Sequence, residues 1–258
     1  MLLAVDIGNT NITLGVFEGE RLRATWRLST DVGKEADEYA VQIASLLELD
    51  GIDREQIHRA VLASVVPALS SVIETALHRR LGITPMRVGA GVKTGLRILY
   101  DDPRDVGPDR IVDAVAALKA HKPPIIVVDV GTATVFDAIS REGDYLGGAI
   151  APGIGVAADA LAQKAALLRR VDLQPPKHAV GTNTTASLQS GILFGYAELI
   201  EGMIDRFKAE IGDDAWVIAT GGWARLMGEL TRAFDHIDPD LTLQGLRLVY
   251  EMNIGESS

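Results

Sequence analysis

The stretch VVDVGTATVFD at residues 127–137 repeats the plan of LAVDIGNTNITLGVFE at residues 3–18, and this internal repeat decides the fold. In the alignment Asp129 falls on Asp6 and Gly131 on Gly8. Each copy is a short apolar run, a turn of the form D-x-G followed by Asn or Thr, and a second run rich in β-branched residues. That pattern reads as a strand buried on both faces, a tight turn and a returning strand.

Working outward, residues 21–28 supply a third strand. Residues 37–49 carry apolar side chains at helical spacing behind acidic residues that suit a helix start. Residues 60–65 read as a buried strand, and Pro67 opens a helix that Gly82 closes. In the second half, residues 153–170 and 186–211 are helical in pattern, and residues 216–219 form a strand ending at Thr220-Gly221-Gly222. Residues 171–185, polar and rich in Pro and Thr, form a loop over a site. The expected class is α/β, with two duplicated domains at 1–120 and 121–258, a cleft between them, and His121-Lys122-Pro123-Pro124 as the linker. Disorder is expected only in the tail after Asn253.

With 47% hydrophobic and 23% charged residues, the 258-residue chain is long enough to bury a large core. It contains no cysteine, which excludes a disulfide framework, a cysteine nucleophile and thiolate metal sites, and fits the cytoplasm. A formal net charge of −10 argues against nucleic-acid and anionic-membrane partners. No apolar run reaches the length of a membrane span. Asp6 interrupts the apolar start too early for a signal peptide.

Chemistry concentrates at three places. Glycine lets backbone N–H groups approach phosphate oxygens while an adjacent aspartate handles a metal ion, so the doubled D-x-G turn points to nucleotide phosphates. A single copy would read as an ordinary turn. Asp129, at a strand's carboxyl end, is either a turn former or a metal ligand. The third place is Gly107-Pro108-Asp109-Arg110, entering an apolar helix at residues 111–118. Asp109 is either the helix cap or an acceptor for a substrate hydroxyl proton. Arg110 opposes the helix dipole and suits a site that grips a carboxylate or phosphate bidentately. Tyr145 and Trp223 read as packing residues beside glycine turns, and the five histidines show no metal-ligand spacing.

The motifs DIGNTNITLG (6–15), GPDR (107–110), DVGTATVFD (129–137), GGAIAPG (147–153) and TTASLQSG (184–191) resemble those of type III pantothenate kinases, within the acetate and sugar kinase, Hsp70 and actin superfamily. The resemblance implies two actin-like, ribonuclease H-like domains with a nucleotide cleft between them. It also implies ATP-dependent phosphorylation of the primary hydroxyl of pantothenate to 4'-phosphopantothenate, the first step of coenzyme A synthesis. By position, Asp6, Ile7, Gly8, Asn9, Thr10, Asn11, Ile12 and Thr13 would form the first phosphate loop, with Asp6 near Mg²⁺ and Thr132 contacting ATP. The eighth loop position here is Thr13, uncharged where some relatives carry a basic residue. Asp129 would hold a monovalent cation, K⁺ or NH₄⁺. Asp109 would be the general base, and Arg110 would hold the pantothenate carboxylate with Tyr100, Gly107, Pro108 and Thr184. Thr184 would act across a homodimer interface. Two other readings share the aspartate turns: a superfamily phosphatase acting on polyphosphate or guanosine polyphosphates, and a non-catalytic regulator switched by ATP. A water-activating enzyme has no use for a carboxylate anchor, so Arg110 and Tyr100 separate the readings.

Overall fold

A computed structural model describes residues 1–165, 168 and 170–254. The chain folds as two compact units: residues 1–95, 102–116 and 241–258, and residues 96–101 and 117–240. The sequence predicts a single crossing, near residues 120–124. Two segments depart from such a linear division: residues 96–101 group with the second unit, and the C-terminal helix groups with the first.

In the first unit the strands are β1 (Leu2–Ile7), β2 (Asn11–Glu18), β3 (Arg21–Ser29), β4 (Arg59–Ser64) and β5 (Met86–Arg87). They form a sheet in the order β3-β2-β1-β4-β5, in which β1, β2 and β3 are antiparallel neighbours and β4 runs parallel to β1. Leu3, Val5 and Ile7 are fully buried, as is expected of a central strand covered on both faces. Edge strand β3 instead alternates exposed and half-buried residues. On one face, Leu3, Val5 and Ile7 share a core cluster with Tyr39, Ile43 and Leu47 of α1 (Ala36–Leu49) and with Leu69, Ile73 and Leu77 of α2 (Pro67–Leu81). Helix α2 starts on Pro67 and stops at Gly82, whose φ of 71° only glycine adopts without strain. The sheet also takes α7 (Leu241–Ile254), which packs on β1, β2 and β4. There a Cβ on Gly15 would lie 2.8 Å from Leu243 Cδ1, so the missing side chain admits the helix. Helix α3 (Pro108–Ala120) begins in the first unit, and the chain passes into the second after Ala116.

The second unit holds β6 (Ile125–Val130), β7 (Ala133–Ile139), β8 (Tyr145–Pro152), β9 (Trp216–Thr220) and β10 (His236–Ile237). Their order, β10-β9-β6-β7-β8, is that of the first sheet read from its other end. Three antiparallel strands again precede a strand parallel to the first of them, so the repeat in sequence is a repeat of topology. Ile126, Val128 and Val130 form a core with Leu193, Ile200 and Ile204 of α5 (Thr184–Ile211). Helix α4 (Ile154–Lys164) ends earlier than its apolar pattern suggests, and residues 166, 167 and 169 of that pattern lie outside the described residues. Helix α5 begins two residues before residue 186 because Asn183 caps it, its side chain accepting from the Ala186 N–H at 2.9 Å. The expected tail after Asn253 falls, beyond Ile254, outside the described residues. No helix among the described residues is long and apolar enough to cross a membrane.

Candidate active site

In the first unit the turn between β1 and β2 follows Asp6, which pairs with Thr13 and Ala63 in the sheet. The Gly8 N–H donates to Asn11 O at 3.0 Å and closes the turn. Thr30 braces it from outside, its hydroxyl donating to Gly8 O at 2.7 Å and its N–H to Thr10 O at 2.9 Å. Asn9, Thr10 and Asn11 are exposed, whereas Ile7 and Ile12 are completely buried. The two isoleucines therefore offer a ligand only their backbone; their side chains anchor the loop in the core.

The GPDR motif lies at the same end of this sheet. The Val65 N–H, just past β4, donates to Ile7 O at 3.0 Å, and Val65 Cγ1 stands 3.7 Å from where a Cβ of Gly107 would be. Helix α3 starts immediately after Gly107. The Asp109 carboxylate turns back on the helix start, accepting from the Arg110 N–H at 2.9 Å. A Cβ on Gly107 would come within 2.4 Å of Asp109 Oδ1, so only glycine leaves the carboxylate in place. Burial pushes the Asp109 carboxyl above the usual carboxylate range, against the opposing pull of the Arg110 N–H and guanidinium charge. A half-buried carboxylate of raised basicity next to an arginine can take a proton from a hydroxyl while the cation holds an anionic group of the same small molecule.

In the second unit three glycine turns converge on Asp129 and Thr132. A Cβ on Gly221, whose φ is +94°, would lie 2.2 Å from Asp129 Oδ1, and one on Gly131 3.2 Å from it. A Cβ on Gly153 would lie 2.2 Å from Thr132 O, which also accepts the Gly153 N–H at 3.0 Å. Sequence reasoning does not single out Gly153 and Gly221 as site residues; their signal is position, Gly153 closing GGAIAPG after β8 and Gly221 following the last residue of β9. Thr184 is exposed at the first turn of α5. Tyr100 lies elsewhere in this unit, its ring against Gly147 of β8. Tyr145 is fully buried and its hydroxyl donates to Asp137 Oδ1 at 2.6 Å, so it packs and also satisfies a buried carboxylate. Trp223 closes the turn after β9 and precedes α6 (Ala224–Gly228), its N–H donating to Val130 O at 3.0 Å.

Among the described residues no three His, Asp or Glu side chains cluster as a metal site. Mg²⁺ in phosphoryl-transfer enzymes keeps several waters and takes one or two carboxylates plus the substrate's phosphates, so a single aspartate at a glycine turn fits it.

Comparison with known proteins identifies the family. A family model for type III pantothenate kinase matches residues 2–206. A type III pantothenate kinase of Moorella thermoacetica is 51% identical over 253 residues, covering 98% of this chain and 100% of that protein. One from Myxococcus xanthus is 47% identical over 253 residues, covering 98% and 99%. Among solved structures, an inorganic polyphosphate/ATP-glucomannokinase from an Arthrobacter species superposes with a TM-score of 0.51 at 14% identity, covering 99% of each chain, a likeness of fold. The repeated topology and these matches make the protein a duplicated actin-like α/β kinase, and the chain belongs to the type III pantothenate kinase family.

Proposed function

We infer that the chain phosphorylates pantothenate at the expense of ATP, giving 4'-phosphopantothenate and ADP at the first step of coenzyme A biosynthesis, with Asp109 as the general base. The observation that carries the assignment of the base is the Asp109 carboxylate, raised in basicity, seated over Gly107 and next to Arg110.

Phosphoryl transfer is mostly positioning and charge neutralisation, so each residue's task is modest. Arg110 holds the pantothenate carboxylate, with Tyr100, Gly107, Pro108 and Thr184 completing its recognition. Asp109 accepts the proton of the primary hydroxyl as that oxygen attacks the γ-phosphorus and the bond to the β-bridging oxygen breaks, leaving ADP. Within residues 6–13, the exposed side chains of Asn9, Thr10 and Asn11 donate to phosphate oxygens, as does Thr132 from the second turn. Mg²⁺, when bound, neutralises phosphate charge, and Asp6 is the residue to hold it. Asp129, in the space left by Gly131 and Gly221, is the residue to hold a monovalent cation, K⁺ or NH₄⁺. A second copy of the chain brings Thr184 to its partner's pantothenate pocket; exposed apolar side chains on β8 and α4, Ile150 and Val156 among them, support such an interface. The cytoplasm is the expected compartment, which the absence of cysteine fits.

ADP release by the purified protein tests the reading. Release that needs both Mg-ATP and pantothenate and is stimulated by K⁺ over Na⁺ is expected. Equal release without pantothenate would instead identify a hydrolase, and equal rates in the two salts would remove the cation site.

A further inference from the structure

Residues 96–101 leave the first unit to pack in the second, and they do so along the outer edge of β8. The Tyr145 N–H donates to Arg97 O at 2.9 Å and the Leu99 N–H to Tyr145 O at 2.8 Å, so Ile98 and Tyr145 make a parallel bridge. The Arg97 guanidinium grips the Asp144 carboxylate with two N–H groups, Nε to Oδ1 at 2.8 Å and the second to Oδ2. Asp144 is buried, and its carboxyl is held below the usual range by this hydrogen-bonded arginine. Tyr145 is in turn immobilised by its buried bond to Asp137. Two residues beyond the Ile98–Tyr145 bridge stands Tyr100. A Cβ on Gly147 would lie 3.1 Å from both Cδ2 and Cε2 of its ring, and Gly147 has a φ of +126°. The ring therefore rests on bare backbone.

A tyrosine side chain has two torsions that matter. A strand bridge and an ion pair fix the backbone that carries them, and a surface without a side chain fixes the ring. We propose that Gly147 and the Arg97–Asp144 pair are positioning residues that set the Tyr100 ring for pantothenate recognition. The proposal rests on the reading of Tyr100 as a pantothenate-binding residue. Asp144 and Gly147 touch no substrate in this scheme; they act through Tyr100, and any side chain at residue 147 lifts the ring by a few tenths of an ångström or turns it. Misplacement of this order at a recognition site costs roughly tenfold in substrate use.

The test compares Gly147→Ala, Asp144→Asn, Asp144→Glu, Tyr100→Ala and the double variant Tyr100→Ala/Gly147→Ala by the KM for pantothenate, the KM for ATP, kcat and thermal midpoint. The expected result is a pantothenate KM raised about tenfold in Gly147→Ala and Asp144→Asn, with ATP KM and kcat within about twofold of wild type. Asp144→Glu, which keeps the charge pair, is expected to restore most of the affinity. In the Tyr100→Ala background Gly147→Ala is expected to change nothing further. The proposal is overturned if Tyr100→Ala raises the pantothenate KM while Gly147→Ala and Asp144→Asn leave it alone. It is equally overturned if they raise the ATP KM to the same extent, or if Gly147→Ala acts undiminished without the Tyr100 ring. An unchanged KM in Tyr100→Ala sinks the reading of Tyr100 itself, a distinct outcome. Should the backbone of Gly147→Ala fail to fold, Asp144→Asn decides, because it alters a side chain and leaves φ untouched.

Discussion

At the residue scale, Asp109 joins two physical facts that pull in opposite directions. Burial raises its carboxyl above the usual range, which suits a base but disfavours the ionised state. In stability, a group whose folded-state pKa is raised contributes most below the unfolded value, and the contribution is lost as pH rises through the folded one. At neutral pH the charged Asp109 therefore weighs against the fold. Asp109→Asn is expected to lower kcat by roughly 10²-fold or more. ATP binding should persist, and the thermal midpoint near neutral pH should rise slightly. Rate measurements across pH add a check: the acid limb of kcat/KM should lie above the ordinary carboxylate value of about 3.9 and vanish in the variant. A variant with near-normal turnover would remove Asp109 as base. For the neighbouring Arg110→Ala, pantothenate KM is expected to rise about tenfold or more, because a charge-assisted, two-pronged contact is lost from the ground state. An unchanged KM would contradict that role.

At the element scale, the helix that carries Asp109 is seated by another helix. A Cβ on Gly245 of α7 would lie 2.0 Å from Val112 O of α3, so the two backbones meet with no side chain between them. Gly245→Ala is expected to cost about 1–3 kcal/mol, and so to lower the melting midpoint by several degrees, through forced separation of α3 and α7. Gly202→Ala makes the contrast: this residue lies in the interior of α5 with nothing within 4 Å of its would-be Cβ. There the substitution is expected to stabilise by about 0.5–1 kcal/mol, since alanine loses less backbone freedom than glycine. Thermal melts of the two variants settle the matter, and a neutral Gly245→Ala would mean that the helices can part without cost.

At the scale of the whole molecule, one topology occurs twice, and each copy carries its aspartate turn at the carboxyl ends of its central strands. Copies are not equally served. The first sheet gains α7 from the far end of the chain, while the second gains residues 96–101 along β8. The exposed Ile150, at 65% of its free surface, lies on that same edge strand. If the proposed homodimer forms through this strand, Ile150→Glu shifts the sedimenting species from dimer towards monomer and lowers pantothenate turnover with it, because burying a carboxylate in an apolar interface is costly. A dimer that persists with full activity would place the interface elsewhere.

Much of this was legible in the sequence, for reasons that differ from part to part. Strands β1, β2, β6 and β9, the helix from Pro67 to Gly82 and the doubled D-x-G turn are written in local patterns of burial and backbone preference, which need no distant partner to be read. The GPDR motif, too, showed its acid and its cation side by side. Tertiary structure alone decided what depends on the meeting of segments far apart in the chain. Glycines 221 and 153 make room around Asp129 and Thr132, Val65 links the end of β1 to Gly107, Gly147 supports Tyr100, and α7 returns to the first sheet. None of these leaves a periodic trace, because a glycine is required there by the atom opposite it and a helix's destination is set by which sheet face is left uncovered.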